Sequence, residues 1–184
     1  MFPNKYHYIL VPGYGGIEMR HWMRHWLRLA EDIAIVKQGN FQEPEKDAWT
    51  KKLAELVAKK QDKPIVLIAH SLGCITTIYA SMQNQLPGVV AAFLVAMPEE
   101  ERPEFHNGEW KNFTPFPAHQ IPFFKTMVYS DNDEYCSVQN MEKACKHFNI
   151  PMLYAGSNGH LGSSANLAEW KEGQELFNNF LKQL

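Results

Sequence analysis

The segment Ile65-Val66-Leu67-Ile68-Ala69-His70-Ser71-Leu72-Gly73-Cys74 runs an apolar stretch straight into a serine with small residues two positions before and two after it. A strand that turns sharply into a helix at a Gly-x-Ser-x-Gly element lifts the serine hydroxyl to the carboxyl end of a sheet, where it can attack a carbonyl carbon. Here Ala69 stands at the first glycine position, a difference of one methyl group, and Gly73 keeps the second. Such a turn predicts backbone strain at Ser71. The competing reading is a serine that only caps the following helix; the apolar run ahead and the helical stripe behind favour the nucleophile. Neighbouring side chains in a tight turn point apart, so His70 reads as a structural or pocket-lining residue.

A nucleophilic serine needs a base to take its proton and an acid to orient that base, and in this fold class the chain order is Ser, then Asp or Glu, then His. Both partners stand where that order requires. Ser130-Asp131-Asn132-Asp133-Glu134 follows an apolar run, and either Asp131 or Asp133 could serve, with Glu134 a third acid. Among eight histidines, His160 in Gly156-Ser157-Asn158-Gly159-His160 lies just beyond the last strand-like run, whereas His21 and His25 sit four apart without the glutamate of a zinc-binding HExxH. An oxyanion also needs backbone donors. The amide of Leu72, directly after the serine, is one candidate, and the loop Pro12-Gly13-Tyr14-Gly15-Gly16 offers a second at Tyr14, or at Gly15. Its glycines lack the GxGxxG spacing, and no GxxxxGK[ST] loop exists, so nucleotide binding has little support.

These residues need a sheet to converge. Apolar runs at Tyr6 to Val11, Ile33 to Val36, Ile65 to Ala69, Val89 to Ala96, Phe124 to Tyr129 and Pro151 to Tyr154 read as strands, several without polar alternation, as in a parallel sheet covered on both faces. Helical stripes alternate with them: Met19 to Ala30, rich in tryptophan; Trp49 to Val57; Ile75 to Met82; Val138 to Cys145. A last helix is expected to open at Asn166-Leu167-Ala168-Glu169, which reads as an N-cap with an acid at N3. Met97 to Pro122 carries five prolines and the aromatics Phe105, Trp110, Phe113 and Phe116, which read equally as loop anchors in the core or as an acyl pocket.

The chain has 184 residues, 45% of them hydrophobic, and a formal net charge of -2. It is long enough for one well-packed domain, 1-184, and no internal repeat or linker divides it. The near-neutral charge gives no electrostatic reason for a nucleic acid or an anionic membrane as partner. Three cysteines without a CxxC pair argue against a disulfide framework or a zinc site. No leader-like or membrane-spanning apolar stretch stands out, so a cytoplasmic protein is expected.

The VPGYGG start, the tryptophan-rich HWMRHW, the elbow AHSLG, the paired acids of SDNDEYCS and the late GSNGHLGSSANL together resemble the small serine hydrolases of the retinoblastoma-binding protein nine family and its bacterial relatives, within the α/β-hydrolase superfamily. The likeness spans residues 5 to 184. It implies a compact three-layer α/β fold, with a mostly parallel six-stranded sheet in the order 2-1-3-4-5-6, helices on both faces and no large cap domain. It places the nucleophile on Ser71 and the base on His160 and favours Asp133 over Asp131, although Glu134 stands where the family often has proline. It further implies a shallow site bordered by Tyr14, the Met97 to Pro122 loop and Leu161, with His70, Trp110 and Phe113 as further lining candidates. The expected reaction is hydrolysis of small carboxylic esters or thioesters through an acyl-enzyme, without metal or organic cofactor. The rival readings are an amidase or acyltransferase using the same residues, and a hydrolase-fold protein that only binds another protein.

Overall fold

The computed structural model describes residues 1–184. Six strands, β1 (His7–Val11), β2 (Ile33–Ile35), β3 (Ile65–His70), β4 (Val89–Val95), β5 (Phe124–Tyr129) and β6 (Met152–Tyr154), form one sheet in the order β2-β1-β3-β4-β5-β6, and every adjacent pair is parallel. The two halves of the sheet grow outward from the neighbours β1 and β3, whose carboxyl ends therefore flank the crevice where the connections diverge. No large cap domain interrupts them.

Burial on both faces explains why the central strands read as unbroken apolar runs. Ile9, Val11, Leu67, Ala69, Ala92 and Leu94 face one core, shared with α2 (Lys46–Ala58), α3 (Leu72–Met82) and α5 (Val138–Phe148) through Trp49, Leu53, Ile75, Ile78, Met141 and Phe148. The intervening residues Tyr8, Leu10, Val66, Ile68, Phe93 and Val95 face the other, built with α1 (Trp22–Trp26) and α6 (Lys171–Leu181) from Trp22, Trp26, Trp170, Phe177 and Phe180. The period of two along each strand thus sorts side chains into two apolar layers. At roughly 25 cal/mol per Å² of apolar surface, each of these large aromatics contributes several kcal/mol of burial.

Two elements differ from expectation. The first helix is a single turn and a half, because Met19 is 81% exposed and outside the packed stripe, and Leu27 already caps the helix. The last helix opens at Lys171 and not at Asn166: Asn166, Ala168 and Trp170 all have positive φ (49°, 51° and 44°), which breaks the path the apparent capping pattern suggested. The proline-rich connection holds a short α4 (Pro103–His106) and a 3-10 turn at Lys111–Phe113, pinned by Phe105 and Phe113, both fully buried.

Candidate active site

β3 ends in the turn that carries Ser71, whose φ of 55° and ψ of -127° lie in a region that costs a side-chain-bearing residue of order 1–3 kcal/mol. Two close approaches hold that turn. A methyl group on Gly73 would stand 2.1 Å from the carbonyl oxygen of Val11, and one on Gly13 would stand 2.7 Å from Cβ of Ser71 and 3.0 Å from the amide nitrogen of Leu72. The loop after β1 therefore lies directly against the elbow, and both positions admit only glycine. The Ser71 side chain makes no capping bond to α3. It points instead to His160, with Oγ 2.8 Å from Nε2.

His160 sits in the loop after β6, and its Nδ1 lies 2.9 Å from both carboxylate oxygens of Asp133 in the loop after β5. The Asp133 side chain is 1% exposed, and its Oδ1 also accepts the amide of Tyr135 at 2.8 Å. Donation from His160 Nδ1–H to the carboxylate leaves Nε2 with its lone pair toward the serine O–H, the arrangement needed for proton abstraction. Asp131, the alternative acid, accepts Tyr154 Oη at 2.7 Å and Ser157 Oγ at 2.6 Å, and so ties the loop after β6 to the end of β5. Asn132 completes the tie by accepting the amide of Gly159 at 2.7 Å. Glu134 lines the cavity rim.

Leu72 opens α3, so its amide has no intrahelical acceptor. The Tyr14 amide donates to no backbone carbonyl, whereas the Gly15 amide is engaged with the carbonyl of Phe41 at 3.0 Å. That bond removes Gly15 as a free donor and leaves Leu72 and Tyr14.

Ser71 and His160 open into a cavity of about 240 Å³ whose walls include Tyr14, His70, Trp110 and Tyr135, with Glu18 and Ser163 among the polar residues. His70 and Trp110 thus stand where lining residues were expected. Phe113 and Leu161 do not: both are fully buried, Phe113 edge-on to Trp49 in the first core and Leu161 in the second. Their side chains follow the apolar interior and turn away from the cavity. Glu18, His21, Tyr135 and Ser163 were missed as lining residues. For His21 the nearby HW pair is a signal, since a polar ring ahead of a buried tryptophan helix needs a partner; the others become neighbours only through loop convergence. The three cysteines are buried and unpaired, and burial pushes their thiols well above the ordinary range, Cys145 to about 12. No thiolate competes with Ser71 at neutral pH.

The fold recurs in known structures. A YdeN-like hydrolase from Pectobacterium atrosepticum superposes with a TM-score of 0.83 at 22% identity, over 96% of this chain and 90% of that one. The ydeN gene product of B. subtilis gives 0.77 at 16% identity, over 97% and 99%. The type II thioesterase BorB from the borrelidin biosynthetic cluster gives 0.67 at 15% identity, over 98% and 94%. No curated protein sequence compared with the chain matches it. The sheet order and the serine turn are those of the α/β-hydrolase superfamily. Residues 8–179 match the family model described as serine hydrolase, and the chain belongs to that family.

Proposed function

We propose that the protein hydrolyses small carboxylic esters or thioesters, with Ser71 as nucleophile, His160 as general base and then acid, and Asp133 as the group that holds the imidazole tautomer. The observation that carries this reading is the 2.8 Å contact between Ser71 Oγ and His160 Nε2 at a strained turn in which the serine caps nothing. Ser71 Oγ attacks the carbonyl carbon while its proton passes to His160 Nε2. The oxyanion that forms is received by the amides of Leu72 and Tyr14. His160 then returns the proton to the departing alkoxide or thiolate, and water repeats the sequence on the acyl-enzyme to regenerate Ser71 and release the acid.

The cavity supports a small acyl group. It has aromatic and polar walls but no aliphatic side chain along which a long alkyl chain would lie. Thioesters share the chemistry, and the likeness to a type II thioesterase supports keeping them in the class. The motifs VPGYGG, AHSLG and GSNGHLG support placing the chain beside the retinoblastoma-binding protein nine type of serine hydrolase. Three buried, unpaired cysteines suit a reducing compartment, and we assign the activity to the cytoplasm.

The test is labelling by a fluorophosphonate probe, with intact mass and peptide mapping, beside turnover of acetyl and longer acyl model esters. One adduct on Ser71 is expected, absent in Ser71→Ala and slowed at least about 10³-fold in His160→Ala. Folded wild-type protein that takes up no probe and turns over no ester would overturn the reading and leave a binding role on a hydrolase scaffold.

A further inference from the structure

The segment that carries His160 has no regular structure to hold it. Gly159 and Leu161 on either side both have positive φ, 55° and 52°, and for Leu161 this is an unfavourable conformation that its surroundings must impose. Its carbonyls point into the protein, where each needs a donor. One donor stands at the start of α1, and the other, at the end of β3, is itself held by the residue that caps α1. Trp22 Nε1–H donates to the carbonyl of Leu161 at 2.7 Å. His70 Nε2 lies 2.9 Å from the carbonyl of His160 itself, and His70 Nδ1 lies 3.3 Å from His21 Nε2.

The direction of this chain of bonds is set by its far end. The amide of Met23 donates to His21 Nδ1 at 3.2 Å, so that nitrogen carries a lone pair and the proton of a neutral ring resides on Nε2. His21 Nε2–H must then donate to His70 Nδ1, which puts the His70 proton on Nε2, aimed at the carbonyl of His160. One arrangement of protons satisfies all four groups.

We propose that His21, Trp22 and His70 are positioning residues for His160: Trp22 at the start of α1 and His70 at the end of β3, the latter oriented by His21, hold the backbone around the base through two neutral N–H donors and so keep its ring between Ser71 and Asp133. This rests on the hydrolase reading above. Neutral donors are what the site needs. The ring centroids of His70 and His160 are 5.1 Å apart, and a cation at that distance would oppose the imidazolium that forms on His160 as it takes the serine proton. Burial accordingly keeps both rings uncharged. It pushes His21 down to about 4, helped by His160, and His70 well below the ordinary histidine value, helped by His21 and His160.

The experiment is steady-state hydrolysis of a short model ester and the rate of fluorophosphonate labelling, measured on wild type, Trp22→Phe, His70→Leu, His70→Gln, His21→Leu and the His21→Leu/His70→Leu pair, with circular dichroism to confirm folding. Misplacement of a reacting group by about 1 Å costs up to 10²-fold, so His70→Leu is expected to lower kcat and labelling rate about 10- to 100-fold with KM within about twofold. His70→Gln, which keeps an N–H of similar reach, recovers most of the loss. His21→Leu adds little once His70 is gone, because it acts through that ring. Trp22→Phe keeps the aromatic bulk, folds if His70→Leu does not, and lowers kcat about 3- to 10-fold with KM unchanged. The proposal is overturned if folded Trp22→Phe and His70→Leu keep wild-type kcat, or if KM alone changes. Absence of any adduct on wild-type Ser71 would instead overturn the hydrolase reading, and this inference with it.

Discussion

Asp131 and Asp133 stand two residues apart in one loop and meet different partners. Asp133 is buried against His160, while Asp131 bonds Tyr154 and Ser157 on the exposed side of the same loop. Asp133→Asn presents an amide to the imidazole and favours the wrong tautomer, so kcat is expected to fall about 10³- to 10⁴-fold, with little change in the urea midpoint. Asp131→Asn is expected to lower kcat no more than about fivefold, through looser tethering of the loop after β6, a modest mutational effect. A stopped assay on the two purified variants separates them, and equal losses would contradict the assignment of Asp133. Residue types and chain order were enough to find the serine, the histidine and the two candidate acids, because the chemistry restricts which side chains can serve. They could not separate Asp131 from Asp133, since that choice depends on which way a short loop turns its side chains. Phe113 and Leu161 show the same limit from the other side, being placed near the site by sequence position and taken from it by burial.

At the level of elements, the start of α6 carries an unusual contact. A methyl group on Gly173 would stand 2.1 Å from the indole of Trp170, which is itself buried and holds positive φ. Helix propensity alone makes glycine-to-alanine favourable by about 1 kcal/mol in a helix interior. Here the sign reverses: Gly173→Ala is expected to destabilise by about 1–3 kcal/mol, because the indole is packed against both Trp22 and Trp26 and cannot retreat. Urea unfolding followed by tryptophan fluorescence measures it. α1 supplies a second prediction. His21 is held neutral down to about 4 against an ordinary value of 6.5, so between those pH values the unfolded chain binds a proton that the folded chain refuses. Stability therefore falls as pH drops from 6.5 to 4, by roughly 3 kcal/mol from this ring, and is insensitive to it above 6.5. His70 acts in the same direction. Urea midpoints at pH 7 and pH 5 should converge in His21→Asn relative to wild type. The central strands β1, β3 and β4 were legible because burial on both faces leaves little polar alternation to confuse the pattern, and the half-buried edge strands β2 and β6 showed as short apolar runs. α1 and α6 were misjudged at their ends, where an apolar stripe at Met19 and a capping-like Asn166 continue past the point at which packing and backbone φ stop the helix.

Across the whole molecule, the balance of charge at the cavity differs from the near-neutral average. Glu18 and Glu134 line it, and no lysine or arginine does. Arg102, which stacks on Tyr135, is already paired with Glu104. An acetate ester bearing a trimethylammonium group is thus expected to exceed one bearing a carboxylate by about 3- to 10-fold in kcat/KM at low ionic strength, the gap closing at molar salt. Replacing both glutamates by glutamine should erase it; a preference for the anionic ester in wild type would show that the cavity field has been misread. The wide spacing of Ser71, Asp133 and His160 along the chain has a consequence of another kind. The loop after β6 completes the site, and it follows the elements that carry Ser71 and Asp133 in order of synthesis. Its clamp comes from Trp22 of α1 and His70 of β3, and Trp170, which packs on Trp22, comes later still. A growing chain that has emerged only as far as β5 lacks the base and is chemically silent. The nucleophile is therefore armed only after the segment that carries His160 has been made and has docked against Trp22 and His70.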